Sequence, residues 1–144
     1  MQTATPLFDP AQADALKDRL LAADCVIVPT HQNVDADGLA TPLALMHALN
    51  PLGANIIPVI SDGRYPKALA FLPGIDKALR YGQDELPNFD LICMLDCSDK
   101  RRLGAFYEDD PSRVEGAYPI LNVDHHVTND NYGEINIVAP DAAA

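Results

Sequence analysis

The chain has 144 residues, 48% of them hydrophobic, and its 21 Asp and Glu against 10 Lys and Arg give a formal net charge of −11 at pH 7. This length and composition predict one globular domain with a single core and exclude a chain that is disordered throughout. The negative charge repels long polyanions, so long duplex nucleic acid is not an expected partner.

The cysteine content predicts a protein of a reducing compartment. Cys25, Cys93 and Cys97 are an odd number, and no charged-then-apolar signal segment precedes them. A disulfide framework is therefore not expected, and a cytoplasmic location is predicted. No apolar run approaches the roughly 18 residues that a membrane-spanning helix needs, so no membrane partner is expected.

The first predicted elements are a helix, a strand, a second helix and a second strand. Asp9 and Pro10 are typical of a helix start, because Asp caps free N–H groups and Pro lacks one. Apolar runs rich in β-branched residues predict strands at 25–29 and 54–60 that are buried on both faces. Regularly spaced leucines predict a helix over 38–52 between them, and a strand, helix and strand in this order form a parallel, right-handed unit.

The second half of the chain continues the alternation. Glycines and prolines in 61–75 predict a loop with a short helix. Two more apolar runs, at 89–95 and 118–123, predict buried strands, and the polar stretch 98–115 between them is helical or irregular. The predicted fold class is α/β, with a mainly parallel sheet of about five strands and helices on both faces, in a single domain.

Histidine and aspartate follow three of the predicted strands. The first strand is followed by His31, Asp35 and Asp37, the strand at 89–95 by Asp96, and the strand at 118–123 by Asp124, His125 and His126. Because the carboxyl ends of parallel strands line one crevice, these side chains should converge there. A lone His or Asp at a strand end is more often a turn former or a helix cap, but three clusters are hard to ascribe to turns alone.

The side chains in these clusters predict a metal site. Carboxylate oxygen and imidazole nitrogen suit a hard or borderline divalent ion such as Mn, Mg, Fe or Co, and four aspartates carry charge enough for two ions. Cys93 and Cys97 are interpreted as packing residues, because no C-x-x-C pair is present to suggest zinc. Two such ions activate water and neutralise a phosphoryl oxygen, so hydrolysis of a phosphoester or phosphoanhydride is the expected reaction.

The sequence resembles the DHH family of phosphoesterases, which is named for an Asp-His-His triplet. The motifs that carry the resemblance are His31-x-x-x-Asp35-x-Asp37, Met94-Leu95-Asp96 and Asp124-His125-His126. They stand in the family's order. The stretches 71–74 (Phe-Leu-Pro-Gly) and 131–136 (Asn-Tyr-Gly-Glu-Ile-Asn) are similar to the branch that contains small-oligonucleotide hydrolases and cyclic-dinucleotide phosphodiesterases.

The resemblance implies a pair of metal ions. His31, Asp35 and Asp96 would hold one ion. Asp37, the shared Asp96, and His125 would hold the other. Mn is the expected metal, with Mg or Co as alternatives.

The resemblance also implies catalytic roles. Asp124 would fix a neighbouring imidazole, and His126 would face the substrate phosphate as a hydrogen-bond donor or proton source. Asn129, shortly after the triplet, is a candidate substrate contact, although loop composition accounts for it as well. The nucleophile would be water, so no Ser or Cys nucleophile is sought.

The chain departs from the family in two places. Val34 stands where many members have Pro, and the sequence at 38–41 replaces the commoner Gly-Ser ending of the first motif. Family members also supply a further Asp and a smaller substrate-gripping domain from beyond this region. Because residues 140–144 are typical of a helix start, residues 1–144 are expected to be one catalytic domain that is incomplete at its C-terminus and lacks the second domain.

The expected function is metal-dependent hydrolysis of phosphoester bonds in short oligonucleotides, nucleoside bisphosphates or cyclic dinucleotides. The expected partner is a small phosphorylated nucleotide, and a homodimer is left open. Three alternatives also remain. They are an inorganic pyrophosphatase or exopolyphosphatase, a metal-binding fragment without turnover, and an α/β scaffold whose clusters serve only as caps.

Overall fold

Six strands form one parallel sheet in the computed structural model, which describes residues 6–144. The strands are β1 (Val26–Pro29), β2 (Ile56–Ile60), β3 (Leu79–Arg80), β4 (Leu91–Leu95), β5 (Ile120–Asp124) and β6 (Ile135–Val138). Their order across the sheet is β3-β2-β1-β4-β5-β6, and each neighbouring pair is parallel. The predicted fold class is confirmed, with six strands in place of about five.

The two strands that sequence pattern did not single out lie at the edges of the sheet. β3 has two residues, which is too short to show any periodicity. β6 is half-buried, so it lacks the continuous apolar run of the central strands.

Helices cover both faces of the sheet. The α-helices are α1 (Pro10–Ala22), α2 (Ala36–Leu49) and α3 (Ala105–Asp109). Short 3₁₀ turns lie at 50–52, 67–69, 75–77, 100–103 and 111–113. α1 and α2 pack on one face around Leu20 and Leu39, whereas α3 and its flanking turns pack on the other around Phe106. Side chains of successive strand residues alternate between these two cores, as the pleat of a strand requires.

Both long helices begin at an aspartate. Asp9 Oδ1 accepts from the N–H of Ala11 (2.9 Å) before α1, as predicted. Asp35 Oδ1 accepts from the N–H of Gly38 (2.9 Å), so α2 starts two residues earlier than predicted. This earlier start leaves Pro42 in the interior of the helix.

All three cysteines are buried and free, which confirms the interpretation of Cys93 and Cys97 as packing residues. The predicted helix start at 140–144 is wrong. Residues 140–141 form a turn in which the N–H of Ala142 donates to the carbonyl of Ala139 (2.9 Å), and 142–144 are not helical. Within residues 6–144, no helix has the length and apolar character needed to cross a membrane.

Candidate metal centre

The candidate site lies at the carboxyl ends of three adjacent strands. The chain leaves β1 in one direction to build β2 and β3 and returns to the other side of β1 to build β4, β5 and β6. The sheet order therefore reverses between β1 and β4, which is where open parallel sheets form their ligand crevice. His31 follows β1, Asp96 follows β4, and Asp124 ends β5. The predicted convergence is confirmed for every predicted His and Asp of the three clusters except Asp37.

The first ligand group contains His31, Asp35 and Asp96, whose donor atoms all lie within 4.8 Å of one another. Nε2 of His31 is 3.4 Å from Oδ1 of Asp35 and 3.8 Å from Oδ2 of Asp96. The ring is 5% exposed, and its Nδ1–H donates to the carbonyl of Gln32 (2.8 Å). Because that carbonyl only accepts, the neutral ring presents the lone pair of Nε2 to the two carboxylates, as a metal ligand must.

The second ligand group contains Asp96, Asp124, His125 and His126, again within 4.8 Å. Nε2 of His125 is 3.0 Å from Oδ1 of Asp96, and Nδ1 of the same ring donates to the carbonyl of Ala142 (3.2 Å). That carbonyl and the contact with Asp96 raise the pKa of His125, although burial opposes the rise. His125 is therefore held in the same way as His31, with Nδ1 tied to backbone and Nε2 towards the cluster.

Asp96 belongs to both groups and is the centre of the site. It follows β4 directly with φ +57, a left-handed conformation that is uncommon for a residue other than Gly. Burial raises the pKa of Asp96, the hydrogen bond from His125 opposes this, and the charge of Asp35 adds to the rise. The carboxylate thus sits where negative charge is already crowded, which is an environment that a cation relieves.

Asp35 combines two roles that the sequence left as alternatives. Its Oδ1 caps α2 by accepting from Gly38, and the same carboxylate faces His31. The Gly38 N–H is the main cause that lowers the pKa of Asp35, burial opposes it, and His31 assists. The carboxylate therefore stays ionised and keeps lone pairs for a ligand while it caps the helix.

Gly38 also belongs to the site, although the sequence motifs gave no physical reason to expect a glycine there. A Cβ at this position would lie 2.6 Å from Nε2 of His31 and 3.1 Å from Cγ2 of Val34. The absence of a side chain is thus what allows the imidazole to lie against the start of α2. No spacing rule signals this requirement, since it arises from contact between a loop and a helix.

Asp124 and His126 form a tightly bonded pair. Oδ1 of Asp124 accepts from Nδ1–H of His126 (2.6 Å) and from the backbone N–H groups of His125 (2.8 Å) and His126 (3.3 Å). Burial by itself raises the pKa of Asp124, but hydrogen bonds from Asn129, His126 and the backbone outweigh it and hold the pKa below its usual value. The predicted role of Asp124 in fixing an imidazole fits this geometry, and the His126 side chain is 40% exposed.

Asp37 and Asn129 are not members of either ligand group. Asp37 is in the first turn of α2, and it borders a cavity of about 550 Å³ together with Asp96 and His125. Asn129 is buried, and its amide is bonded to Asn122 and Asp124. The metal role of Asp37 and the substrate role of Asn129 remain predictions.

The residues present fit a pair of divalent cations. Two imidazole nitrogens with fixed orientation and the carboxylates of the two groups provide the nitrogen and oxygen ligands that such ions prefer, without any thiolate. The carboxylate common to both groups can bridge two ions. The site is therefore a candidate binuclear metal centre.

The chain belongs to the DHH family, because residues 25–144 match the DHH family, N-terminal domain. The match includes all three polar clusters of the site. Membership in the family, which the sequence motifs predicted, is confirmed.

Two similar proteins add detail. Over 124 residues the chain is 31% identical to the bifunctional oligoribonuclease and PAP phosphatase NrnA of Thermus thermophilus, covering 83% of this chain and 33% of that protein. The crystal structure of an exopolyphosphatase-related protein from Bacteroides fragilis matches with a TM-score of 0.83 at 21% identity, covering 97% of this chain and 42% of that one. The likeness to the second protein confirms the fold. The chain spans a third of the curated relative and less than half of the structural one.

Proposed function

We propose that this chain forms the metal-dependent catalytic site of a phosphoesterase that acts on short oligonucleotides, nucleoside bisphosphates or cyclic dinucleotides. The observation that carries the proposal is the pair of ligand groups that share Asp96. A shared carboxylate favours two neighbouring cations, and two cations a few ångströms apart suit phosphoester cleavage. Membership of the DHH family and the similarity to the Thermus protein support the same chemistry.

His31, Asp35 and Asp96 would hold one cation. Asp96 and His125 would hold the other, with Asp37 approaching from the cavity that it shares with them. Mn is the proposed metal, and Mg or Co fit the same ligands. Two bound divalent cations would supply Lewis acidity, which lowers the pKa of water and offsets the negative charge of a phosphoryl group.

His126 would serve the leaving group. Its Nδ1–H is held by the ionised carboxylate of Asp124, which stabilises the ring when it carries a second proton. A second proton would lie on Nε2 of His126, the ring nitrogen not bonded to Asp124, and could be donated from there to the departing oxygen. The Asp124–His126 pair would therefore act as the general acid of the reaction.

A small substrate is favoured by charge. The net charge of −11 repels long nucleic acid, whereas a substrate with one or a few phosphates needs only the local positive charge of the two cations. A small phosphorylated nucleotide is therefore the proposed partner.

The proposal is tested by assaying the chain with Mn²⁺ against a diribonucleotide, a nucleoside 3′,5′-bisphosphate, a cyclic dinucleotide, pyrophosphate and polyphosphate. Asp96→Asn removes the shared ligand, and we expect the rate to fall by about 1,000-fold or more, since the cations supply several kcal/mol of transition-state stabilisation. Asp130→Asn is the matched control, because Asp130 is exposed and belongs to neither ligand group.

Several outcomes would overturn the proposal. Mn²⁺ binding measured by calorimetry without turnover of any substrate would assign the chain a metal-binding role alone. Activity only on pyrophosphate or polyphosphate would move it to the phosphoanhydride class. Full activity in Asp96→Asn would show that the reaction does not take place at this site.

A further inference from the structure

Three asparagines spaced seven residues apart meet beneath the loop that carries the Asp-His-His triplet. Asn122 lies in β5, and its register partner in β6 is Asn136. Nδ2 of Asn122 donates to Oδ1 of Asn136 (2.9 Å) and to Oδ1 of Asn129 (2.8 Å), which comes from the loop between the two strands. The loop therefore folds back over the sheet and is fastened there by side-chain amides.

Every polar atom of the Asn129 side chain is engaged. Nδ2 donates to Oδ1 of Asn122 (3.0 Å) and to Oδ2 of Asp124 (2.8 Å). Oδ1 accepts from Asn122 and from the N–H of Asn131 (2.9 Å). Only an amide offers two donors and an acceptor in this arrangement, so the orientation of the group is determined without ambiguity.

The network is anchored at its far end as well. Oδ1 of Asn136 accepts from the N–H of Gly133 (2.8 Å), and its Nδ2 donates to the carbonyl of the same glycine (2.8 Å). Asn122 is buried completely and Asn129 is 8% exposed. Buried polar networks in which each member is satisfied rigidify the groups at their ends.

The group at the near end is the carboxylate of Asp124, whose side chain has no exposure. Oδ2 of Asp124 accepts from Nδ2 of Asn129. Oδ1 accepts from Nδ1–H of His126 and from the backbone N–H groups of His125 and His126. The two oxygens thus have different partners, and the carboxylate cannot rotate without breaking a buried hydrogen bond.

We propose that Asn129, supported by Asn122 and Asn136, is a positioning residue that locks Asp124. Asp124 then keeps the proton of the neutral His126 ring on Nδ1, so that Nε2 faces the substrate and is the atom that would carry the second, transferable proton. The part of this proposal that concerns the substrate rests on the proposed function. The part that concerns the tautomer rests on the contacts alone. In this proposal Asn129 acts through Asp124 and needs no contact with the substrate.

The test replaces Asn129 with Leu, which has the same branched skeleton, is bulkier, and has no hydrogen-bonding group. Histidine ¹⁵N spectra of the metal-free protein at pH 8 report which ring nitrogen carries the proton, and the signals of His126 are assigned by comparison with His126→Gln. We expect the Nδ1–H tautomer in the unaltered chain and a substantial fraction of Nε2–H in Asn129→Leu. Asn131→Gly is the control, because Asn131 is exposed with φ +53, a conformation that Gly adopts freely.

Kinetics provide the second measurement. We expect kcat of Asn129→Leu with a diribonucleotide to fall by about 10- to 100-fold, the usual cost of removing a group that orients a site residue. KM and the Mn²⁺ dissociation constant should change less than about threefold, because no ligand to the cations is altered. A merely structural role would instead lower the melting temperature and leave the tautomer and the kcat of the folded protein unchanged.

The proposal is overturned if His126 keeps the Nδ1–H tautomer and kcat is unaffected in a folded Asn129→Leu variant. Should that variant fail to fold, Asn129→Ala is measured in the same way, since a methyl group is small and donates to neither Asn122 nor Asp124. If the unaltered chain hydrolyses nothing, the proposed function fails, and the tautomer measurement still decides whether Asn129 positions His126.

Discussion

The contact between Gly38 and His31 shows that the site depends on the absence of a side chain at position 38. A methyl group at Gly38 would occupy the space of the His31 ring, so the ring would have to leave the two carboxylates that it faces. Ala is also intrinsically favoured over Gly in a helix, by up to about 1 kcal/mol, and by less in the first turn, where Gly38 lies. Displacement of the His31 ring should change the affinity for metal, whereas the helix preference for Ala should change the free energy of unfolding.

We predict that Gly38→Ala weakens Mn²⁺ binding by at least about 10-fold, because the displaced imidazole loses its orientation as a ligand. Titration calorimetry of the variant and the unaltered chain measures the change. Ala44→Gly, at an exposed position in the interior of the same helix, is the control. It should cost about 1 kcal/mol of unfolding free energy while leaving the affinity unchanged. Unchanged affinity together with a gain in stability in Gly38→Ala would show that His31 does not depend on Gly38.

The buried thiols permit a chemical test of the packing. Burial raises the pKa of Cys93 to about 12 and that of Cys97 to about 11. The pKa of Cys25 is also raised, first by burial and then by the charge of Asp90. Thiols of this kind are inert, because the thiolate is the reactive form.

A disulfide reagent at pH 8 should therefore label no cysteine rapidly in the native chain, and it should label all three after addition of guanidinium. Absorbance of the released thiolate measures both phases. Rapid labelling of one thiol before unfolding would mean that its core opens easily.

At the scale of elements, the carboxylate of Asp90 links the residues that precede the two central strands, β1 and β4. Asp90 directly precedes β4, and it accepts from the N–H groups of Cys25 (2.8 Å) and Asp24 (3.0 Å), just before β1. The N–H of Cys25, followed by that of Asp24, lowers the pKa of Asp90 against the opposing effect of burial. Asp90 is exposed, so solvent screening keeps the stabilisation modest.

Asp90→Ala is predicted to lower the free energy of unfolding by about 1 kcal/mol at pH 7. A depressed folded-state pKa means that the contribution is present above the unfolded pKa of about 3.9 and is lost as the pH falls through the folded value. Urea unfolding at pH 7 and at pH 3 should show the difference between variant and unaltered chain shrink in acid. Asp76→Ala serves as an exposed control and should have little effect. A difference that persists at pH 3 would contradict the assignment.

The outcome of strand and helix prediction follows from what each element buries. The central strands β1 and β4 are wholly buried, so their apolar runs were visible in sequence. β3 becomes a strand only because it pairs with β2, through Val59 and Ile60. The stretch 98–115 breaks into short helices around Phe106, a result of tertiary packing that no local period could predict.

At the scale of the whole molecule, folding concentrates carboxylates at one edge of the sheet in a chain that is already strongly acidic. Cations bound by the native state alone stabilise it through mass action, by about 2.7 kcal/mol for each site at a hundredfold excess over the dissociation constant. The metal-free protein retains the repulsion among these acids.

We expect Mn²⁺ to raise the melting temperature by several degrees and EDTA to reverse the effect, as measured by calorimetric scans. Asp96→Asn should abolish most of the shift. Sodium chloride at equal ionic strength controls for screening. A melting temperature that does not respond to Mn²⁺ would favour the scaffold alternative, in which the clusters are only caps.

Composition, apolar runs and the order of three polar motifs were enough to predict an α/β sheet, its central strands and a metal centre at their ends, because each of these is encoded locally or by chain order. The family resemblance already implied a shared Asp96, and the assembled structure placed it within reach of both groups. The structure was needed to show that His31 requires Gly38 and that Asn129 is bonded to Asp124. These contacts join residues from different strands and loops, and such distances arise only when the strands are set side by side in their final order.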